Sequence, residues 1–117
     1  VKTVRESLSV PTVLNGGIES VALANDLSRK VGCGGVMAAR ELLANPAMFA
    51  GYDALPPACF RDFMRLAIAF DTRTDFVKLH VSHMLDRHLA PAERSHIAAQ
   101  ASLSGLLEAV RGTGWLE

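Results

Sequence analysis

The rhythm of apolar and polar positions changes once along the chain. Residues 10–14, Val10-Pro11-Thr12-Val13-Leu14, form a short apolar run closed by Asn15-Gly16-Gly17, the pattern of a buried parallel strand stopped by a breaker. Residues 1–8 before it read as the end of a helix. After it, Ser20 stands where a side-chain oxygen can cap a helix reaching about residue 30. Val21, Ala24, Leu27 and Val31 recur along one face, and Arg29-Lys30 fall in the last turn, where the helix dipole favours cations. Cys33-Gly34-Gly35 is expected to end that helix. A second strand is predicted over 35–39, and a short helix over 40–44 that Asn45-Pro46 interrupts.

Beyond Gly51 the strand signals stop, and Pro56-Pro57 mark the change. Three amphipathic helices are predicted. The first, over 58–70, turns Phe60, Phe63, Met64, Ala67 and Phe70 inward. The second, over 75–89, has Val77, Val81, Met84, Leu85 and His88 on one side, and the third runs over 91–111. Thr74 and Pro91 suit helix starts and Gly112 a stop. Phe60, Phe63, Phe70 and Phe76 are all expected in the core. Three helices with short connections make a small bundle.

The predicted fold class is therefore α/β plus α. Two parallel strands cannot complete a ladder or cover both their faces, so residues 1–51 are expected to be a βαβα slice of a larger barrel or doubly wound sheet. The chain has no initiator Met, which fits a start partway into a longer polypeptide.

Composition adds limits. Half of the 117 residues are apolar, enough for a packed interior, and 12 basic residues balance 12 acidic ones, so any nucleic-acid contact must be a local patch. No apolar run approaches the roughly 20 residues of a membrane span. Cys33 and Cys59 lack CxxC spacing, and both read as small buried thiols in a reducing compartment, the cytoplasm or the nucleus.

Candidate chemistry begins at the strand ends. In Asn15-Gly16-Gly17-Ile18 the glycines let backbone N–H groups approach an anion at the following helix, although a tight turn alone would also need them. Ala39-Arg40 ends the next strand in the same way. In a barrel the loops after strands seven and eight form a common phosphate site, and Arg40 would add a charge-assisted contact there.

These residues resemble a known family. The stretch from Val10 through Asn15-Gly16-Gly17-Ile18, then Gly35-Val36-Met37-Ala38-Ala39-Arg40, then the run from Leu42 through Asn45-Pro46-Ala47-Met48-Phe49 to Tyr52 resembles the C-terminal barrel strands of tRNA-dihydrouridine synthases. The last run is similar to the eukaryotic branch acting on tRNA positions 20a and 20b. The resemblance is strong over about the first 52 residues and looser over the helices. It implies that residues 1–51 are the C-terminal βαβα slice of a (β/α)8 TIM barrel and that residues 52–117 are a helical tRNA-binding domain. It also implies that Asn15, Gly16, Gly17, Ala39 and Arg40 hold the phosphate of FMN. In such enzymes FMN takes hydride from NADPH and delivers it to C6 of a uridine, while a cysteine protonates C5. That cysteine belongs to the N-terminal half of the barrel, which becomes a required partner, and this chain alone is expected to be inactive. The family often has an acidic residue where Gly17 stands and usually glycine where Glu41 stands. A carboxylate beside a phosphate is repelled unless it turns to solvent or pairs with a base.

The resemblance makes tRNA the expected partner and Lys78, His80, His83 and Arg87 its candidate contacts. His80 and His83, three apart on a helix, with His88 and His96 beyond, also raise a metal reading. No HExxH accompanies them and neither cysteine has zinc-site spacing, so no metal is expected. Two alternatives stay open: another flavin-binding barrel oxidoreductase, and a non-enzymatic RNA-binding module.

Overall fold

The computed structural model describes residues 2–117, an elongated body of 53 × 23 × 23 Å. A short helix α1 (Lys2–Glu6) opens it, and Val1 of the predicted first helix lies outside the described residues. Arg5 Nε donates to the carbonyl of Gly32 at 2.8 Å and ties α1 to the far end of α2 (Val21–Val31). The Ser20 Oγ accepts the Leu23 N–H at 3.1 Å, the cap its position predicted. Gly32 ends α2 in the left-handed conformation, φ 70°, so the stop comes one residue before the predicted Cys33-Gly34-Gly35 signal.

Strands β1 (Val13–Asn15) and β2 (Gly35–Met37) pair in parallel, with Val13 opposite Gly35, Leu14 opposite Val36 and Asn15 opposite Met37. Both are shorter than predicted. Pro11 has no N–H to give a ladder, and Ala38-Ala39 leave the sheet to turn into α3 (Arg40–Ala44). Leu14, Ile18, Ala24 and Met48 form a small core under the sheet. Val10, Val13 and Met37 are 62%, 57% and 52% exposed, and Val13 and Met37 sit on the sheet face opposite Leu14, which nothing covers among the described residues.

Asn45 is a buried polar side chain with both ends engaged. Its Nδ2 donates to the Tyr52 carbonyl at 2.7 Å and its Oδ1 accepts the Ala47 N–H at 3.1 Å. This clamps the 3-10 turn Met48–Ala50 and aims the chain toward the helices.

Helices α4 (Pro57–Ala69), α5 (Thr74–Leu85), α6 (Pro91–Ala98) and α7 (Leu103–Arg111) share a second core. Phe60, Val77, Val81, Leu106 and Val110 are fully buried in it, with Met64, Leu85 and Ile97 close behind. The Phe60 ring meets Trp115 edge-on at 5.7 Å.

Three helical expectations need correction. Phe70 is 78% and Phe76 52% exposed, because Phe60, Met64 and Ala67 of α4 and Val77, Val81, Met84 and Leu85 of α5 define the inward stripes and these two phenylalanines fall beside them. Phe76 instead lies under the Arg73 guanidinium at 5.4 Å. The second predicted helix stops at Leu85, and His88 leaves the helix to lie against Trp115, centroids 4.7 Å apart. The third divides into α6 and α7. Ser102 Oγ accepts the Gly105 N–H at 3.2 Å as a fresh N-cap, and Lys78 Nζ donates to the Gln100 carbonyl at 3.0 Å in the break. The break lets Ile97 and Leu106 enter the same core.

Candidate functional site

Parallel pairing brings the ends of β1 and β2 side by side, so the segments that follow them share one pocket. Its volume is ≈ 200 Å³, and Asn15, Gly16, Gly17, Ile18 and Glu19 line it from one strand end, Met37 to Glu41 from the other. All five residues predicted for phosphate binding, Asn15, Gly16, Gly17, Ala39 and Arg40, are on its wall. Gly16 and Gly17 have φ of 111° and 67°, and a Cβ built on either would meet nothing within 4 Å. Backbone conformation, not crowding, selects glycine here. Arg40 opens α3, and its guanidinium makes no hydrogen bond or ion pair among the described residues.

Glu41 lies on the same wall, yet its carboxylate is engaged elsewhere. Arg87 Nη1 donates to Oε2 at 2.9 Å and Nη2 to Oε1 at 2.8 Å, a two-point pair joining α3 to the turn after α5. The hydrogen bonds to Glu41, and then its charge, raise the Arg87 pKa above its ordinary value; partial desolvation opposes this, and Glu19 and Asp86 add to the rise. The carboxylate is the sheltered partner, 22% exposed against 67% for the guanidinium.

A groove of ≈ 510 Å³ between α3 and α5 shares Arg40 and Glu41 with this pocket and adds Leu79, Ser82, His83, Asp86 and Arg87. His83 and Arg87, from the predicted RNA-facing set, are thus gathered beside Arg40. Lys78 and His80 are not: the ammonium is bonded to Gln100, and the imidazole lies against Phe63 with centroids 5.8 Å apart. Sequence reasoning missed the Glu41–Arg87 partnership, since 46 positions separate the pair and no local spacing signals it. Glu19, on the pocket rim, was missed as well.

The remaining candidate chemistry is quiet. Cys33 and Cys59 are free and half-buried. Burial, then the charge of Asp62, pushes the Cys59 thiol up, which disfavours its thiolate. Among the described residues no three His, Cys, Asp or Glu side chains form a metal-binding group, and no helix is long and apolar enough to cross a membrane.

The family model for dihydrouridine synthase (Dus) matches residues 1–108, covering the strand-end pocket, the core under the sheet and most of the helical core. The chain belongs to the dihydrouridine synthase family. The resemblance read from the strand ends and the 45–52 run is borne out, and the match extends well into the helices. The chain is 35% identical over 108 residues to a "tRNA-dihydrouridine(20a/20b) synthase [NAD(P)+]-like" protein of Homo sapiens, covering 92% of this chain and 34% of that one. It is 29% identical over 97 residues to the tRNA-dihydrouridine(20a/20b) synthase [NAD(P)+] of Schizosaccharomyces pombe, 83% of this chain and 30% of the relative. A Saccharomyces cerevisiae protein of the same name is 37% identical over 73 residues, 60% and 20% of the two chains. The chain spans about a third of the length of the curated relatives it matches first. Membership of the dihydrouridine synthase family implies that the chain contains part of a TIM barrel.

Proposed function

We propose that this chain is the C-terminal portion of a tRNA-dihydrouridine synthase, supplying the flavin-phosphate grip and the helical domain that cradles tRNA. One observation carries the reading: the pocket at the ends of two adjacent parallel strands is walled by the five residues whose pattern matches the family's phosphate site. Residues up to about 51 are read as a βαβα slice of the barrel, and 52–117 as the helical domain. The two-stranded parallel ladder and its uncovered apolar face at Val13 and Met37 support further strands that would complete the barrel and carry the reductive centre.

The residues fit an FMN phosphate. Gly16, Gly17 and Arg40 line one pocket, Arg40 has no side-chain partner among the described residues, and the Glu41 carboxylate is occupied by Arg87. FMN, when bound, supplies the reductive chemistry, with NADPH as the source of electrons. The chain's own part is to hold one end of that group by backbone dipoles and Arg40, and so to fix its position within the barrel. His83 and Arg87 in the adjoining groove are the proposed RNA contacts, while Lys78 and His80, engaged with Gln100 and Phe63, are proposed to act through the packing of the helices. The location that goes with this reading is the cytoplasm or the nucleus.

The test is flavin binding followed by fluorescence quenching, in this chain and in a longer polypeptide carrying the other barrel strands. In the longer form Arg40→Ala is expected to weaken FMN about tenfold, the value of a lost charge-assisted contact, and to leave riboflavin, which has no phosphate, unchanged. The 117-residue chain alone is expected to show no reductase turnover. Absence of FMN binding in every form, together with salt-dependent tRNA binding, would favour a non-enzymatic RNA-binding module instead.

A further inference from the structure

The pocket assigned to an anion has an awkward charge of its own. Its ionisable lining residues are one base, Arg40, and two acids, Glu19 and Glu41, so the wall by itself is net negative by one charge. Arg87 lies outside that lining and comes from the helical half of the molecule. It reaches across to take both oxygens of Glu41, at 2.8 and 2.9 Å, and feels the charge of Glu19 as well. With it the local set becomes neutral, and both oxygens of the sheltered carboxylate are held by the guanidinium.

We propose that Arg87 is a positioning residue for the anion site, withdrawing Glu41 from the pocket so that a phosphate group is accepted only when the helical domain is docked against α3. This rests on the strand-end pocket being the flavin-phosphate site. Without Arg87, Glu41 would stay beside the pocket as an unpaired, largely sheltered carboxylate, and its field would act directly on a bound phosphate. Arg87 bridges the two cores, so the same pair couples the phosphate pocket to the placement of α5. Both sides of the pair are in one groove with Arg40, which gives the coupling a short path. The choice of arginine suits the task, because a planar fork occupies both carboxylate oxygens at once and lysine cannot.

The experiment is a double-mutant cycle on the full-length protein with FMN and riboflavin as paired probes, each variant checked by thermal melting. Arg87→Ala is expected to weaken FMN about three- to tenfold and to leave riboflavin unchanged, and the deficit is expected to shrink at high salt as the Glu41 repulsion is screened. Adding Glu41→Gln to Arg87→Ala is expected to restore most of the FMN affinity, and Arg87→Lys to show an intermediate loss. An equal loss for riboflavin and FMN, or a loss that persists in the Glu41→Gln background, would overturn the proposal while leaving the phosphate site standing. If the parent protein shows no Arg40-dependent preference for FMN over riboflavin, the phosphate site fails and this inference fails with it.

Discussion

Replacing Asn45 by alanine deletes a clamp whose two bonds are both visible, which makes its cost calculable. The Asn45 side chain is 8% exposed, donates to the Tyr52 carbonyl at 2.7 Å and accepts from the Ala47 N–H at 3.1 Å. Each such bond contributes about 1 kcal/mol net, with a further penalty where the abandoned partner stays dry. Tyr52 is half exposed, so its carbonyl can turn to water, whereas the Ala47 N–H sits in a tighter turn. We expect Asn45→Ala to lower the unfolding free energy by about 2 kcal/mol, seen as a lower urea midpoint at constant slope. Asn45→Asp sharpens the test. An aspartate keeps the acceptor for Ala47 but, once ionised, turns a second oxygen toward the Tyr52 carbonyl in a buried site, so its folded pKa is raised above the unfolded value of about 3.9. Its deficit relative to the parent is then smallest below about pH 4, where both states are protonated, and grows as pH rises through the folded pKa. A cost for Asn45→Ala within about 0.5 kcal/mol of zero, or an Asn45→Asp deficit independent of pH, would refute the clamp.

Three further outcomes follow from the packing. Phe60→Ala, at a fully buried position against Trp115, is expected to cost about 3–5 kcal/mol and to change the emission of the sole tryptophan; a change under about 1 kcal/mol would mean that this contact does not anchor the helices. Lys78→Met is expected to cost about 1 kcal/mol by freeing the Gln100 carbonyl between α6 and α7, with little effect on tRNA affinity; the opposite pattern, stability kept and tRNA affinity lost, would put the ammonium on RNA. Cys59 is expected to react slowly with a disulfide probe, at a rate that keeps climbing with pH beyond the ordinary thiol value of about 8.5, since burial and Asp62 disfavour its thiolate; a plateau near or below that pH would contradict this.

Much of the local structure was legible in one dimension because its causes are local. The Ser20 cap, the strand before Asn15-Gly16-Gly17, the short helix from Arg40 and the inward stripes at Phe60, Met64 and Ala67 and at Val77, Val81 and Met84 depend on neighbours within a few residues. The division of residues 91–111 into α6 and α7 was half legible. Ser102 carries a capping signal, but the apolar period runs through it, and the decision belongs to the shared core that Ile97 and Leu106 both enter. Phe70 and Phe76 were misjudged because an aromatic near the edge of a stripe is buried or bare according to what the next helix covers.

The candidate site divides along the same line. Sequence alone determined which residues could form an anion grip, since glycine at positive φ, a strand end and an arginine are one-dimensional signals, and the family pattern named their order. It also raised Glu41 as a problem. Only the tertiary structure placed both strand ends on one pocket and resolved that problem through Arg87, 46 residues away. The reason is physical: backbone conformation and capping are set by adjacent residues, whereas a carboxylate's partner is whichever base the packing of two cores brings within about 3 Å, the reach of a hydrogen bond.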